Sequence, residues 1–135
     1  MSNVYRRITI IKIRKPVVND VNEELRWFGS SLGLFNLRDK DSSCYRIFVE
    51  LLKAARKGHG LTSDELAARL NLSRGTIIHH INKLVEAGIV VSEANRYLLR
   101  ENSLSILINE LKKDIERSYS DLEGVAKDID RWMGF

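Results

Sequence analysis

Apolar and polar positions change period several times along this chain, and each change marks an element. In residues 4–14 (VYRRITIIKIR), Ile8 and Ile10 alternate with polar neighbours, and after a one-residue slip Ile11 and Ile13 continue the pattern. Period two with β-branched residues predicts a strand with one polar side. Pro16, the only proline, ends it, because proline has no N–H to give to a ladder. The period then lengthens: Val21, Leu25, Phe28 and Leu32 fall on one helical stripe. Asp20 and Glu23 have the spacing of a capping box, Gly33 is the expected stop, and residues 34–41 read as a connector.

A second helix is expected over about 43–57, with Ser42 or Asp41 as cap and Ile47, Phe48, Leu51, Leu52 and Ala55 facing inward. Gly58 and Gly60 break it. Thr62 stands three residues before Glu65, a second capping box, and opens a short helix over about 63–70. Asn71-Leu72-Ser73 forms a three-residue turn, Ser73 caps a helix over about 74–87, and Gly88 ends it. Ile89-Val90-Val91 and Tyr97-Leu98-Leu99 read as short strands joined by the polar loop from Ser92 to Arg96. Beyond Ser103, a 4,3,4,3 spacing runs through Leu104, Ile108, Leu111, Ile115, Ser118, Leu122, Val125, Ile129 and Trp132. This is a heptad seam about 43 Å long at 1.5 Å per residue, with only Ser118 polar.

Composition narrows the class. The 135 residues are 44% hydrophobic and 30% charged, enough for a core and against global disorder. No apolar run approaches the roughly 18–20 residues that cross a bilayer, and the charged N-terminus does not read as a secretory signal. A soluble, cytoplasmic protein with no membrane partner is the expectation. The single cysteine, Cys44, excludes an internal disulfide and reads as a small buried residue. Net charge is +4, distributed as +4 over residues 1–40, +3 over 41–100 and −3 over 101–135. A basic body with an acidic tail predicts an anionic partner for the body and a separate task for the tail.

The order helix, capped short helix, turn, helix and hairpin between Ser42 and Arg100 is that of a winged helix-turn-helix. Residues 61–78 (LTSDELAARLNLSRGTII) resemble the helix-turn-helix of the ArsR and MarR regulator families, and residues 79–90 resemble the end of their recognition helix and first wing strand. The expected fold is mainly α with a small β-hairpin wing. An N-terminal strand-helix extension would occupy residues 1–41, the winged helix-turn-helix 42–101, and a long C-terminal dimerisation helix 102–135. Leu66, Leu70, Leu72, Ile77, Ile81 and Leu84 would fill the wedge between helices, with Asn71 supplying a left-handed turn residue.

At 100° per residue, Ile77, Ile78, Ile81, Leu84 and Val85 share one side of the 74–87 helix, and Gly75, Thr76, His79, Lys83 and Glu86 the other. If this helix enters the major groove of double-stranded DNA, Arg74, Thr76 and His79 are placed to reach base edges. Ser73 fixes the first turn, Gly75 permits close approach, and Lys83 meets phosphate. The resemblance implies that Arg96 and Arg100, at the hairpin, reach flanking phosphate or the minor groove. The seam residues Leu104, Ile108, Leu111, Ile115, Leu122, Val125, Ile129 and Trp132 would hold a homodimer with two recognition helices about one helical turn apart.

Other chemistry is absent from the pattern. There is no glycine-rich phosphate loop, H-E-x-x-H or nucleophile elbow, so no catalytic residue and no cofactor is expected. Adjacent His79 and His80 lack the i,i+3 or i,i+4 spacing of a helical chelate, and the cysteine pairs and C-terminal histidines of metal-sensing ArsR proteins are missing, so no metal is expected. The reading is a homodimeric, sequence-specific prokaryotic transcriptional regulator. Two alternatives stand beside it: a winged-helix protein-interaction module of a larger assembly, and a non-specific chromatin-type DNA-binding protein. The basic N-terminal strand fits an arm on DNA, a strand shared between subunits, or a partner-binding edge.

Overall fold

The computed structural model describes residues 6–17, 20–35 and 42–135. In chain order these form α1 (Val21–Ser31), α2 (Ser43–Arg56), α3 (Ser63–Leu70), α4 (Arg74–Glu86), β1 (Val90–Glu93), β2 (Arg96–Leu99) and α5 (Leu104–Met133). The start of the predicted N-terminal strand, most of the connector before α2 and the alternative cap Asp41 lie outside the described residues. Two compact units result, Met1–Asn102 and Ser103–Phe135.

Within the first unit, α2, α3 and α4 enclose the core. Ile47, Phe48 and Leu51 of α2, Leu66 of α3, and Ile77, Ile81 and Leu84 of α4 are fully buried, and Leu70 is nearly so. Leu52, Ala55 and Leu72 are half-buried, while Cys44 and Ala54 join the interior. The hairpin closes this core through Val90 and Leu99, which are directly opposed in an antiparallel ladder running to Glu93↔Arg96. Its strands extend beyond the expected triplets because Ala94 and Asn95 both take left-handed backbone (φ 50° and 66°), the two-residue turn that matches strand twist. Leu61 adds a bridge: its N–H donates to Tyr97 O (2.9 Å) and its carbonyl oxygen accepts from Tyr97 N–H (2.7 Å).

The expected N-terminal strand is not formed among the described residues. Residues 6–16 belong to no helix and to no ladder. Single hydrogen bonds hold them instead: Arg7 N–H to Glu86 O (2.9 Å), Ile11 N–H to Ser31 O (2.7 Å), and Trp27 Nε1–H to Ile13 O (3.0 Å). The acceptors and donors within reach belong to helix ends and a side chain rather than to a strand, so period two finds no partner. Ile10 stays 67% exposed and Ile11 46%, so the alternation does not sort into a buried and a wet face. The segment is a strap linking the end of α4 to α1.

Helix α1 is capped by Asp20, whose carboxylate accepts from Asn22 N–H (3.0 Å) rather than completing a box with Glu23. It meets α2 through aromatic rings: Phe28 stacks on Phe48 (6.2 Å between centroids), and Phe35 stands edge-on to Phe48 and Tyr45. Ser42 precedes α2 in left-handed backbone and makes no side-chain cap.

The second unit is one 30-residue helix, begun by Ser103, whose hydroxyl accepts from Ile106 N–H (3.2 Å). Its seam divides. Leu107, Leu111 and Asp114 are the buried residues, so the early face centres on Leu107, which the heptad spacing omits, while Ile108 is 40% exposed and Leu104 and Ile115 are half-buried. A straight helix drifts only about 20° per heptad from a 3.5 repeat, so drift does not account for Leu107, which lies about 100° round the helix from Ile108. From Glu116 to Phe135 every residue is exposed, including Leu122, Val125, Ile129 and Trp132.

Two glycines give opposite expectations. A Cβ at Gly29 would stand 1.9 Å from Phe35 Cε2, inside the aromatic cluster, whereas a Cβ at Gly124 would meet nothing within 4 Å. Gly29→Ala should therefore lower stability in urea unfolding by about 1–3 kcal/mol. Gly124→Ala should strengthen α5 by about 1 kcal/mol in helix propensity, read as helical content on heating.

Candidate nucleic-acid interface

The α3–turn–α4 segment is built from local hydrogen bonds. Thr62 Oγ1 accepts from Glu65 N–H (3.1 Å) while Glu65 Oε1 accepts from Thr62 N–H (3.1 Å), which satisfies two first-turn donors of α3 reciprocally. At the other end Asn71 adopts φ 54°, ψ 48°, and the Leu72 N–H donates to Ala67 O (3.1 Å). The Arg46 guanidinium, from α2, donates to Leu70 O, one of the carbonyls a helix end leaves open. The chain then re-enters helix at Ser73, whose Oγ accepts from Thr76 N–H (3.1 Å) and donates to Thr76 Oγ1 (2.8 Å).

This fixes what α4 presents. Ser73, Arg74, Gly75 and His79 are exposed, and Thr76 and Lys83 are half-buried on the same side. The two hydroxyls of Ser73 and Thr76 hold each other, so the first turn is ordered before any ligand arrives. Arg74 lies 4.0 Å from Asp64, with both side chains more than two-thirds exposed, a contact weak enough to give up. No acid occupies the first turn of α4, where the helix dipole is positive. A Cβ at Gly75 would meet nothing, so the fold itself does not ask for glycine there. Asn82 is exposed seven residues after Gly75 and three after His79, on the same face. The helical period was the signal for it, and an amide suits adenine edges. The rings of His79 and His80 pack edge-on at 5.1 Å, and no group of three or more potential ligands is gathered for a metal among the described residues.

Both wing arginines have partners in the body of the fold. Arg96 turns back to the body, donating to Gly60 O (3.1 Å) and to Glu65 Oε1 (3.0 Å). Glu65, already fixed by its cap, offers the nearest carboxylate. Arg100 lies past Leu99 at the base of the hairpin, half-buried, with Nη1 3.5 Å from Gly88 O. Neither is carried on the turn, where Ser92, Glu93, Ala94 and Asn95 are exposed and none is basic.

Residues 49–91, from within α2 into β1, match the family of winged helix-turn-helix DNA-binding domains. With the hairpin that follows α4, these residues have the winged helix-turn-helix fold. The match spans about a third of the chain and leaves α1, the strap and α5 outside it. Comparison with curated proteins gives no match. No helix among the described residues is long and apolar enough to cross a membrane.

Glu65 supplies a pH signature for this segment. The Thr62 N–H first, then the Thr62 hydroxyl, hold its carboxyl below the usual value against a small opposing effect of desolvation, with Arg96 and Arg69 adding attraction. A carboxyl lowered in the folded state contributes stability above its unfolded pKa and loses it as pH falls through the lowered folded pKa. The stability difference between the wild type and Glu65→Gln should be constant near neutrality and shrink through this acidic window, as followed by chemical unfolding at stepped pH.

Proposed function

We propose that this protein is a sequence-specific, ArsR/MarR-like prokaryotic transcriptional regulator that binds operator DNA as a homodimer, without catalysis or cofactor. The observation that carries the reading is the exposed face of α4, with its first turn locked by Ser73 and Thr76 and free of acids. Arg74, Thr76 and His79 read base edges in the major groove, and Gly75 lets the backbone approach. Lys83 neutralises a phosphate. Asn82 extends the reading face by one turn. Arg96 and Arg100 act here through the wing's attachment to the body, because their hydrogen bonds hold the hairpin on α3 and on the loop after α4. Two copies, joined through α5, present two such helices to a palindromic site.

The winged-helix interaction module of a larger assembly is the second reading, favoured by one observation: the turn of the wing offers Glu93 and no cation. Fluorescence anisotropy on a mixed-sequence duplex at several salt concentrations separates the two. A steep log–log loss of affinity with salt supports the DNA reading, and absence of binding at about 50 mM salt overturns it in favour of the module. Within the DNA reading, Arg74→Ala should cost about 1–3 kcal/mol and relax preference at one position. Lys83→Ala should weaken all duplexes alike and reduce the salt slope by about 1.

A further inference from the structure

The exposed half of α5 presents Tyr119, Leu122, Val125, Ile129, Trp132 and Met133, each more than half exposed, over about four turns. An apolar stripe of this size on a charged helix marks an association surface. We infer that its occupant is the same stripe of a second copy, packed parallel and in register. The inference rests on the homodimer reading and gives it a geometry.

The heptad register makes the argument. With Ile115, Leu122 and Ile129 at a, the d positions are Ser118, Val125 and Trp132, and Asp121 and Asp128 fall at g. The remaining acids, Glu116, Glu123 and Asp130, fall at b on the outer side. In a parallel pair each g residue faces the following e of its partner, so Asp121 meets Ala126 and Asp128 meets Met133 of the second copy. No like charges confront each other there. An antiparallel pair overlapping the same exposed half is centred near residue 124 and brings g against g. Asp121 then faces Asp128 on both ends of one flank. The exposed i,i+3 pair of Asp128 with Arg131 offsets little of that repulsion.

Ser118 adds a second, independent constraint. In register and parallel, its hydroxyl shares a layer with the hydroxyl of its counterpart, so each polar group has a hydrogen-bonding neighbour. Antiparallel, it is set against Ile129, and the hydroxyl loses its partner.

The test uses the full chain. Wild type should sediment as a dimer at about 50 µM, and Leu122→Asp with Ile129→Asp should raise its dissociation constant about a hundredfold or more while circular dichroism stays native, since both side chains are exposed. Ser118→Cys should give a disulfide-linked dimer on mild oxidation, whereas wild type, whose one cysteine is 1% exposed, should not. A wild-type monomer, or a dimer indifferent to the double substitution, overturns the inference. So does cross-linking of mixed Ser118→Cys and Ile129→Cys chains in place of Ser118→Cys alone. Duplex anisotropy in the same samples keeps the two readings apart. Persistent DNA binding without this dimer removes only the α5 geometry, and the dimer without DNA binding removes only the DNA reading.

Discussion

Where the chain turns between Leu70 and Ser73 decides what α4 can offer. A helix end exposes open carbonyls, and here Leu70 O is taken by the Arg46 guanidinium from α2 while the Leu72 N–H folds back to Ala67 O. Those bonds are made together only with Asn71 in left-handed backbone, a conformation that costs most side chains about 1–2 kcal/mol and costs asparagine less. The direction of α4 follows from this turn, and its depth follows from Ile77, Ile81 and Leu84 in the core. Surface and interior are therefore coupled. The residues that face outward do so because three others, at helical spacing, are held inward.

The parts of this arrangement that were legible in the sequence are local ones. The Thr62–Glu65 box and the cap at Ser73 each join groups three residues apart, the turn at Asn71 rests on a residue type that accepts left-handed backbone, and each appears as the residue types require. The inward residues of α2 and α4 follow from a period. What sequence spacing does not carry is pairing across the chain. Arg46 reaches a carbonyl 24 residues away and Arg96 a carboxylate 31 residues away, and no composition rule selects those partners. The strap failed for a related reason. Alternation reports a chain that could pair, and pairing needs a second strand. The early turns of α5 show the same limit, since a heptad pattern names a stripe without deciding that Leu107, one position off it, is the residue buried.

The electrostatics of the DNA-binding unit are lopsided in consequence. Positive potential gathers at the N-terminal end of α4, from the helix dipole and Arg74, with Lys83 two turns along. The wing, by contrast, spends Arg96 on Glu65 and Gly60, which stiffens the hairpin and leaves Glu93 at its edge. Affinity on duplex DNA rises with the number of phosphates neutralised, so a unit arranged this way gains little from its wing. In the DNA reading proposed above, base contacts, which depend on position more than on charge, would then take a larger share of recognition.

A unit with few phosphate contacts gains most from being held beside a second one. Linking two weak binders turns the second encounter into an intramolecular one, and the gain needs no new contact with DNA. That gain is lost when geometry forbids both units to engage, so the connection must be stiff and must fix a common direction. Residues 116–133 supply a continuous helix whose apolar side chains are exposed. The glycines bear on the same point. Gly29 is demanded by the Phe35 ring, but nothing in the chain crowds Gly75. Gly124 is open in the same way, so free space alone does not call for a ligand; in the DNA reading proposed above, glycine at position 75 lets a backbone approach α4 closely. The first turn of α4 is where that approach would occur.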